Sequence, residues 1–141
     1  METRDNEQNL GNASPRQEKG TEMHKVKFVI PQAIAGKAWA SLDPKEYIPT
    51  RAEGWILELE PENLIFYKDG RGYWWVTDPV TGRRLHSNGY ATRKGAMKAA
   101  QLWSDKLHDF KTSRESERTY KDLAQLTETL AHELEIIERS R

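Results

Sequence analysis

The chain contains no cysteine among its 141 residues. This absence excludes disulfide bonds, cysteine-ligated zinc and thiol nucleophiles, and it fits the expectation of a cytoplasmic protein. Apolar residues are also scarce, at 36% against 31% charged, so the hydrophobic core must be small. No apolar run approaches the roughly 18 residues needed to cross a membrane, and the polar amino terminus does not fit a secretory signal. We therefore expect no association with a membrane.

Net charge is also absent, since 22 basic residues balance 22 acidic ones. The charges are nevertheless unevenly distributed. Residues 68–98 hold seven basic and two acidic residues, a local charge of +5, whereas the segments 1–67 and 115–141 are each at −3. The local charge of the basic segment 68–98 is therefore more informative about binding partners than the net charge of the whole chain.

The order of turn and apolar signals predicts an α+β fold. Its expected form is a small antiparallel sheet of three to five strands with one helix packed on a face, plus a carboxyl-terminal amphipathic helix. Residues 1–22 are polar and predict a disordered tail, because they cannot bury enough surface to offset their ordering entropy. Residues 23–112 are expected to form the α+β domain, with its core in 64–110, and residues 113–141 the last helix.

Two aromatic-rich runs around a glycine-containing turn predict a β-hairpin at the centre of the sheet. The three core strands are expected at Leu64–Lys68, Tyr73–Thr77 and Arg83–Ser87. Period-two alternation indicates a further strand at Trp55–Glu60, and another is expected at His24–Ile30, ended by Pro31. Helical segments are expected at Gln32–Leu42 and, as one turn, at Lys45–Ile48.

Two amphipathic helices are expected in the second half of the chain. Thr92 is suited to cap the first, which carries an apolar stripe at Ala96, Ala100, Trp103, Leu107 and Phe110. The second, Arg118–Arg139, has its stripe at Tyr120, Leu123, Leu126, Leu130, Leu134 and Ile137. Such a stripe must be covered, either by the domain itself or by a second copy of the chain. The sequence leaves docking and a homodimer through residues 118–139 equally open.

Catalytic chemistry has little support in the sequence, so we expect a protein that is not an enzyme, with no catalytic residue, cofactor or metal. The four histidines, His24, His86, His108 and His132, lie in different predicted elements without the spacing of a zinc helix. Gly70-Arg-Gly72 is followed by neither a helix nor a Lys-Ser/Thr pair, unlike a phosphate-binding loop.

Basic and aromatic residues occur together in the predicted sheet, a combination typical of nucleic-acid interfaces. If Trp74 and Val76 face the helix, alternation places Tyr73 and Trp75 on the free face. The candidate nucleic-acid-binding residues are Arg71, Tyr73, Trp75, Arg83, Arg84, His86, Arg93, Lys94 and Lys98. The alternative is a sheet covered on both faces, by the helix and by the region of Trp39, which would bury Trp75.

One stretch resembles a known family. The run Gly72-Tyr-Trp-Trp-Val-Thr-Asp-Pro-Val-Thr-Gly-Arg-Arg, followed by Asn88-Gly-Tyr-Ala-Thr-Arg-Lys-Gly-Ala96, is similar to the AP2-like, arm-type DNA-binding domain of phage and transposon tyrosine integrases. The resemblance covers residues 64–107 and implies a three-stranded sheet in the DNA major groove, with Arg83, Arg84 and the residues around Tyr73 and Trp75 on the binding strands. Residues 113–141 are too few for the integrase catalytic domains, so recombinase activity is not carried over.

These observations lead to two functional hypotheses. The first is a small, non-enzymatic DNA-binding or DNA-associated accessory protein, of phage or mobile-element origin, that uses the basic and aromatic sheet. The alternative is a protein-binding module, an inhibitor or adaptor, in which the same aromatic and arginine side chains anchor a protein partner. Zero net charge favours the alternative, because dedicated DNA-binding domains usually carry a basic excess.

Overall fold

The computed structural model describes residues 23–34 and 43–140. Its four strands form one antiparallel sheet in the order β1-β2-β3-β4, each pairing with the next along the chain. The strands are β1 (Met23–Ala33), β2 (Tyr47–Leu57), β3 (Leu64–Lys68) and β4 (Trp74–Thr77), and the helices are α1 (Arg93–Lys98), α2 (Ala100–Thr112) and α3 (Glu117–Arg139). The predicted α+β class with a carboxyl-terminal helix is confirmed.

The predicted strands at Leu64–Lys68 and Tyr73–Thr77 are present as β3 and β4, which form the expected hairpin. The prediction that Pro31 ends the first strand is wrong, since β1 continues to Ala33 and Pro31 lies opposite Pro49 of β2. A proline fits at this position because β1 is an edge strand, where a missing N–H need not break a ladder hydrogen bond.

Some predictions around β1 and β2 need a further correction or cannot be compared. The strand predicted at Trp55–Glu60 belongs to the longer β2, which ends at Leu57. The predicted helical turn at Lys45–Ile48 is a 3-10 turn at Pro44–Glu46, capped by the Asp43 carboxylate. The predicted tail 1–22, residues 35–42 of the predicted helix and Trp39 lie outside the described residues, whereas Gln32 and Ala33 are strand.

All three helices pack on one face of the sheet. The sheet contributes Leu57, Leu64, Phe66 and Val76 to this main core, and the helices contribute Ala96, Ala100, Leu107 and Tyr120. The opposite face holds a second cluster of Phe28, Ile65, Tyr67 and Trp75. Alternation along β3 and β4 explains the division, since neighbouring residues such as Trp75 and Val76 point to opposite faces.

The helix predicted after Thr92 begins as expected, because the Thr92 hydroxyl accepts a hydrogen bond from the Gly95 N–H at 3.0 Å. It is interrupted at Ala99, whose N–H bonds back to the Ala96 carbonyl, three residues earlier, at 3.1 Å. This tighter turn separates α1 from α2. The predicted apolar stripe still faces the main core. Ala96, Ala100 and Leu107 are buried in that core, and Trp103 and Phe110 are partly buried against it.

Docking of α3 on the domain accounts for most of its apolar stripe. Leu126 and Leu130 pack against Tyr47 at the start of β2, and the Thr127 hydroxyl donates to the Thr81 carbonyl at 2.7 Å. Beyond this contact the helix exposes Ile137, at 46%. The stripe residues Tyr120, Leu123, Leu126 and Leu130 are therefore buried within the chain and are not exposed for contact with a second copy.

Candidate nucleic-acid interface

The turn between β3 and β4 is organised by the carboxylate of Asp69. Its Oδ1 accepts hydrogen bonds from the backbone N–H groups of Arg71, at 2.9 Å, and Tyr73, at 3.0 Å. Its Oδ2 accepts from the Trp75 indole Nε1 at 2.8 Å. The indole hydrogen bond is the main cause that lowers the pKa of Asp69, with the two backbone N–H groups adding to it. The negative charge at this turn is thus already engaged by three donors.

The segment after β4 lies along the free edge of that strand without forming a regular strand itself. Isolated bridges join Thr77 to Arg84 and Trp74 to Tyr90. Between them the pairing is broken, because the Val76 N–H donates to the Nε2 atom of His86 at 2.9 Å instead of to a backbone carbonyl. The predicted strand Arg83–Ser87 is therefore wrong as a regular strand, although its position beside β4 is right.

His86 belongs to the packing of this edge and is only partly exposed. Its ring stacks on Trp75 with centroids 5.1 Å apart and lies against Tyr90 and Trp103. Because Nε2 accepts the Val76 N–H, the neutral ring carries its proton on Nδ1, which donates to the Asn88 carbonyl at 2.9 Å. Burial lowers the pKa of His86, and the nearby Arg84 charge acts in the same direction. Both ring nitrogens of His86, a predicted nucleic-acid-binding residue, are therefore already engaged in hydrogen bonds within the protein.

Arg84 covers the indole of Trp75. The guanidinium carbon lies 3.7 Å from the Trp75 ring centroid, and the Arg84 Nε donates to the Tyr67 hydroxyl at 2.7 Å. The His86 ring stacks on the same indole, and Trp75 is only 8% exposed. The interpretation that Trp75 is open to stack on bases is therefore wrong, because Arg84 and His86 already contact its ring.

The contacts of Arg84 leave its charged end available. Within residues 23–34 and 43–140, its only hydrogen bond is the one from Nε, so its two terminal amino groups make none. A planar guanidinium whose position is fixed by stacking presents these donors as a fork, the geometry that suits phosphate or carboxylate. Arg84 is therefore a preorganised cation of the predicted site.

Two adjoining clefts meet at Arg84 and share Asp69 and Gly70 with it. The first, of about 760 Å³, is bounded by Arg71, Tyr73 and the loop 87–89. The second, of about 620 Å³, lies where β2 and β3 diverge, and its walls come from residues 30–32, 82–83 and the β2 residues Thr50, Ala52 and Glu53. We call the two together the Arg84 groove.

The structure brings together part of the predicted site and separates the rest. The groove is bounded by five of the predicted residues, namely Arg71, Tyr73, Trp75, Arg83 and Arg84. His86 lies beneath it. The remaining three, Arg93, Lys94 and Lys98, are exposed on α1, which packs through Ala96 against the main core and not against the Trp75 face.

Sequence reasoning missed several residues that shape the groove. Asp69 and Tyr67, which fix Trp75 and Arg84, carry no signal beyond their place in a hairpin. Gly89 is a clearer case: a Cβ there would lie 2.7 Å from the Tyr73 Cβ. A side chain at Gly89 would thus collide with the exposed aromatic, and the close approach of the two segments depends on glycine.

The described residues lack a metal-binding cluster and a membrane-spanning helix. Residues 23–34 and 43–140 contain no group of three histidine, aspartate or glutamate side chains placed to hold a metal ion. In the same part of the chain, none of the helices has the length and apolar character to pass through a bilayer.

Comparison of the chain with family models, with curated proteins and with solved structures finds no match. The resemblance of residues 64–107 to arm-type DNA-binding domains therefore stays a prediction.

Proposed function

We propose that this protein is a small, non-enzymatic DNA-binding accessory protein that contacts DNA through the Arg84 groove. The observation that carries the proposal is the position of Arg84, stacked on Trp75 and held by Tyr67 with its terminal amino groups unbonded among the described residues. A guanidinium held in this way loses little side-chain freedom when it binds a phosphate. Phosphate contacts supply nearly all of the affinity in non-specific DNA complexes and a large share in specific ones.

Charge around the groove supports an anionic ligand. Lys68, Arg71, Arg83 and Arg84 border the two clefts, and Glu53 and Asp69 are the acidic residues there, an excess of two positive charges. The Asp69 carboxylate keeps its negative charge, and its oxygens accept three hydrogen bonds from N–H groups of the hairpin itself. The local field is therefore positive although the whole chain is neutral.

The mode of binding differs from the one that the resemblance implies. Trp75 and Thr77 are buried, so β4 offers no row of exposed side chains to read base edges. Contacts through Arg71 and Arg84 would instead engage the phosphate backbone, with Tyr73 beside them. We accordingly expect binding that depends strongly on salt and weakly on sequence.

A protein-binding module, an inhibitor or adaptor, is the second candidate. The observation in its favour is the same exposed set, because tyrosine and arginine are the residues most often found at energetic centres of protein interfaces. Tyr73 is 45% exposed and lines the same cleft as Arg71 and Arg84. Zero net charge fits this candidate better than it fits a strong DNA binder.

Fluorescence anisotropy with labelled DNA distinguishes the two candidates. The full chain should bind DNA at about 50 mM salt, and its affinity should fall as salt rises because bound counterions are released from phosphates. Arg84→Ala should weaken binding, whereas Arg118→Ala, which removes an equal charge from the exposed side of α3, should not. If the full chain does not bind DNA at this salt concentration, the DNA-binding proposal is wrong and the protein-binding candidate remains.

A further inference from the structure

The shape of the Arg84 groove bears on which form of DNA it can hold. We infer that the ligand is single-stranded DNA, an inference that rests on the proposed function and narrows it. Three features carry the inference: the concave shape of the two clefts, the exposed aromatic that lines one cleft together with two arginines, and the burial of the side chains on the sheet face at β3 and β4.

The sheet face argues against a duplex seated on it. A sheet that enters the major groove needs exposed side chains that reach base edges. On this face Ile65 is 3% exposed, Tyr67 5% and Trp75 8%. The aromatic rings pack against each other and under Arg84, so they form a closed surface and not a reading face.

The clefts have the dimensions of sites for small units of a ligand. Volumes of about 760 and 620 Å³ lie within the range of roughly 300–1,000 Å³ that proteins use for small molecules. A duplex presents a convex surface with its bases paired inside, and it cannot enter concavities of this size. A single strand can place one unpaired nucleotide in each cleft, with the phosphate between them at the shared Arg84.

The lining of the first cleft combines positive charge with an exposed aromatic ring. Tyr73, which is 45% exposed, lines this cleft together with Arg71 and Arg84. A base can stack on such a ring whatever its identity, while the arginines bind the flanking phosphates. In the second cleft the apolar surface of Ala52 and Ile30 can contact a neighbouring base.

The test measures the affinity of the full-length protein for one DNA strand in two states, free and annealed to its complement. The probe is a labelled deoxyoligothymidylate of about 20 nucleotides, longer than the roughly 4–16 nucleotides that a single-strand-binding domain covers, either alone or annealed to deoxyoligoadenylate. We expect at least about tenfold tighter binding to the free strand. Tyr73→Leu should weaken binding to the free strand about 5- to 100-fold, because stacking is lost, whereas Tyr73→Phe, which keeps the ring, should bind within about twofold of the wild type.

Each contrary outcome has a distinct meaning. Equal or tighter binding to the annealed duplex overturns the single-strand inference and leaves DNA binding intact. Binding to the free strand that is unchanged in Tyr73→Leu overturns the assignment of the stacking residue, and with it the inference. Absence of binding to both probes overturns the proposed function itself. Circular dichroism of each variant serves as the folding control, and the exposure of Tyr73 predicts that both variants fold.

Discussion

The guanidinium of Arg84 lies 3.7 Å from the centroid of the Trp75 indole, and this contact covers part of the tryptophan and restrains the arginine. Asp69 holds the indole nitrogen at 2.8 Å, and Tyr67 holds the arginine Nε at 2.7 Å. Three side chains of the β3–β4 hairpin and Arg84 from the segment after β4 thus form one cluster of contacts. A cation that would otherwise sample many rotamers is presented in one orientation.

The docking of α3 predicts opposite results for two of its apolar residues. Leu130→Ala should lower the free energy of unfolding by about 2–5 kcal/mol, because the side chain is fully buried and its removal leaves a cavity. Ile137→Ala should change it by less than about 0.5 kcal/mol, as expected of an exposed site. Urea denaturation measures both. Equal effects of the two substitutions would contradict the docked position of the helix.

Removal of residues 115–141 should abolish cooperative unfolding in urea. The deleted helix supplies Tyr120 to the main core and Leu126 and Leu130 to the cluster with Tyr47, so the remaining sheet would expose that surface. Light scattering of the full chain is the companion measurement, and we expect a monomer. A truncated chain that unfolds with an unchanged midpoint would instead favour a role for α3 in self-association.

The turn after β4 depends on Gly82. Its φ is +71°, and a Cβ there would lie 2.1 Å from the Val29 carbonyl oxygen. Gly82→Ala should therefore destabilise the protein by about 2–5 kcal/mol through backbone strain and overlap with β1. Gly70→Ala is the matched control, since a Cβ at Gly70 meets nothing within 4 Å, and its effect should stay within about 0.5 kcal/mol. A tolerated alanine at Gly82 would disprove the contact between this turn and β1.

His86 should make stability sensitive to acid. Burial lowers its pKa in the folded protein below the ordinary value of 6.5, so the unfolded chain binds the proton more readily. The contribution of the neutral ring is fully present above pH 6.5 and is lost as the pH falls from 6.5 through the lowered pKa. His86→Gln, which does not titrate, should show a shallower decline in urea midpoint between pH 7.5 and 5. An identical decline in both proteins would show that His86 is not the responsible group.

Local signals in the sequence were sufficient for the hairpin and for the capped helix. The alternation of β3 and β4 and the hydroxyl of Thr92 act over a few residues, and the structure contains both features as predicted. Pro31 misled the prediction because its cost depends on strand position, which is a property of the whole sheet.

The parts of the site that could not be predicted depend on contacts between distant segments. Alternation correctly placed Trp75 and Val76 on opposite faces of the sheet, but the exposure of Trp75 depends on Arg84 and His86, which follow a turn. The hydrogen bond from the Val76 N–H to the His86 ring, in place of a backbone carbonyl, likewise has no signature in the local sequence. Position within an element was therefore predictable, whereas accessibility was not.

The salt dependence of single-strand binding tests the central claim most directly. Anisotropy titrations with oligothymidylate between about 50 and 200 mM salt give the slope of log affinity against log salt for the wild type, Arg84→Ala and Arg118→Ala. If Arg84 binds a phosphate, its removal should reduce the magnitude of the slope by about 0.7, while Arg118→Ala keeps the wild-type slope. An unchanged slope and affinity in Arg84→Ala, alongside measurable binding by the wild type, would contradict the assignment of the groove as the DNA-binding site.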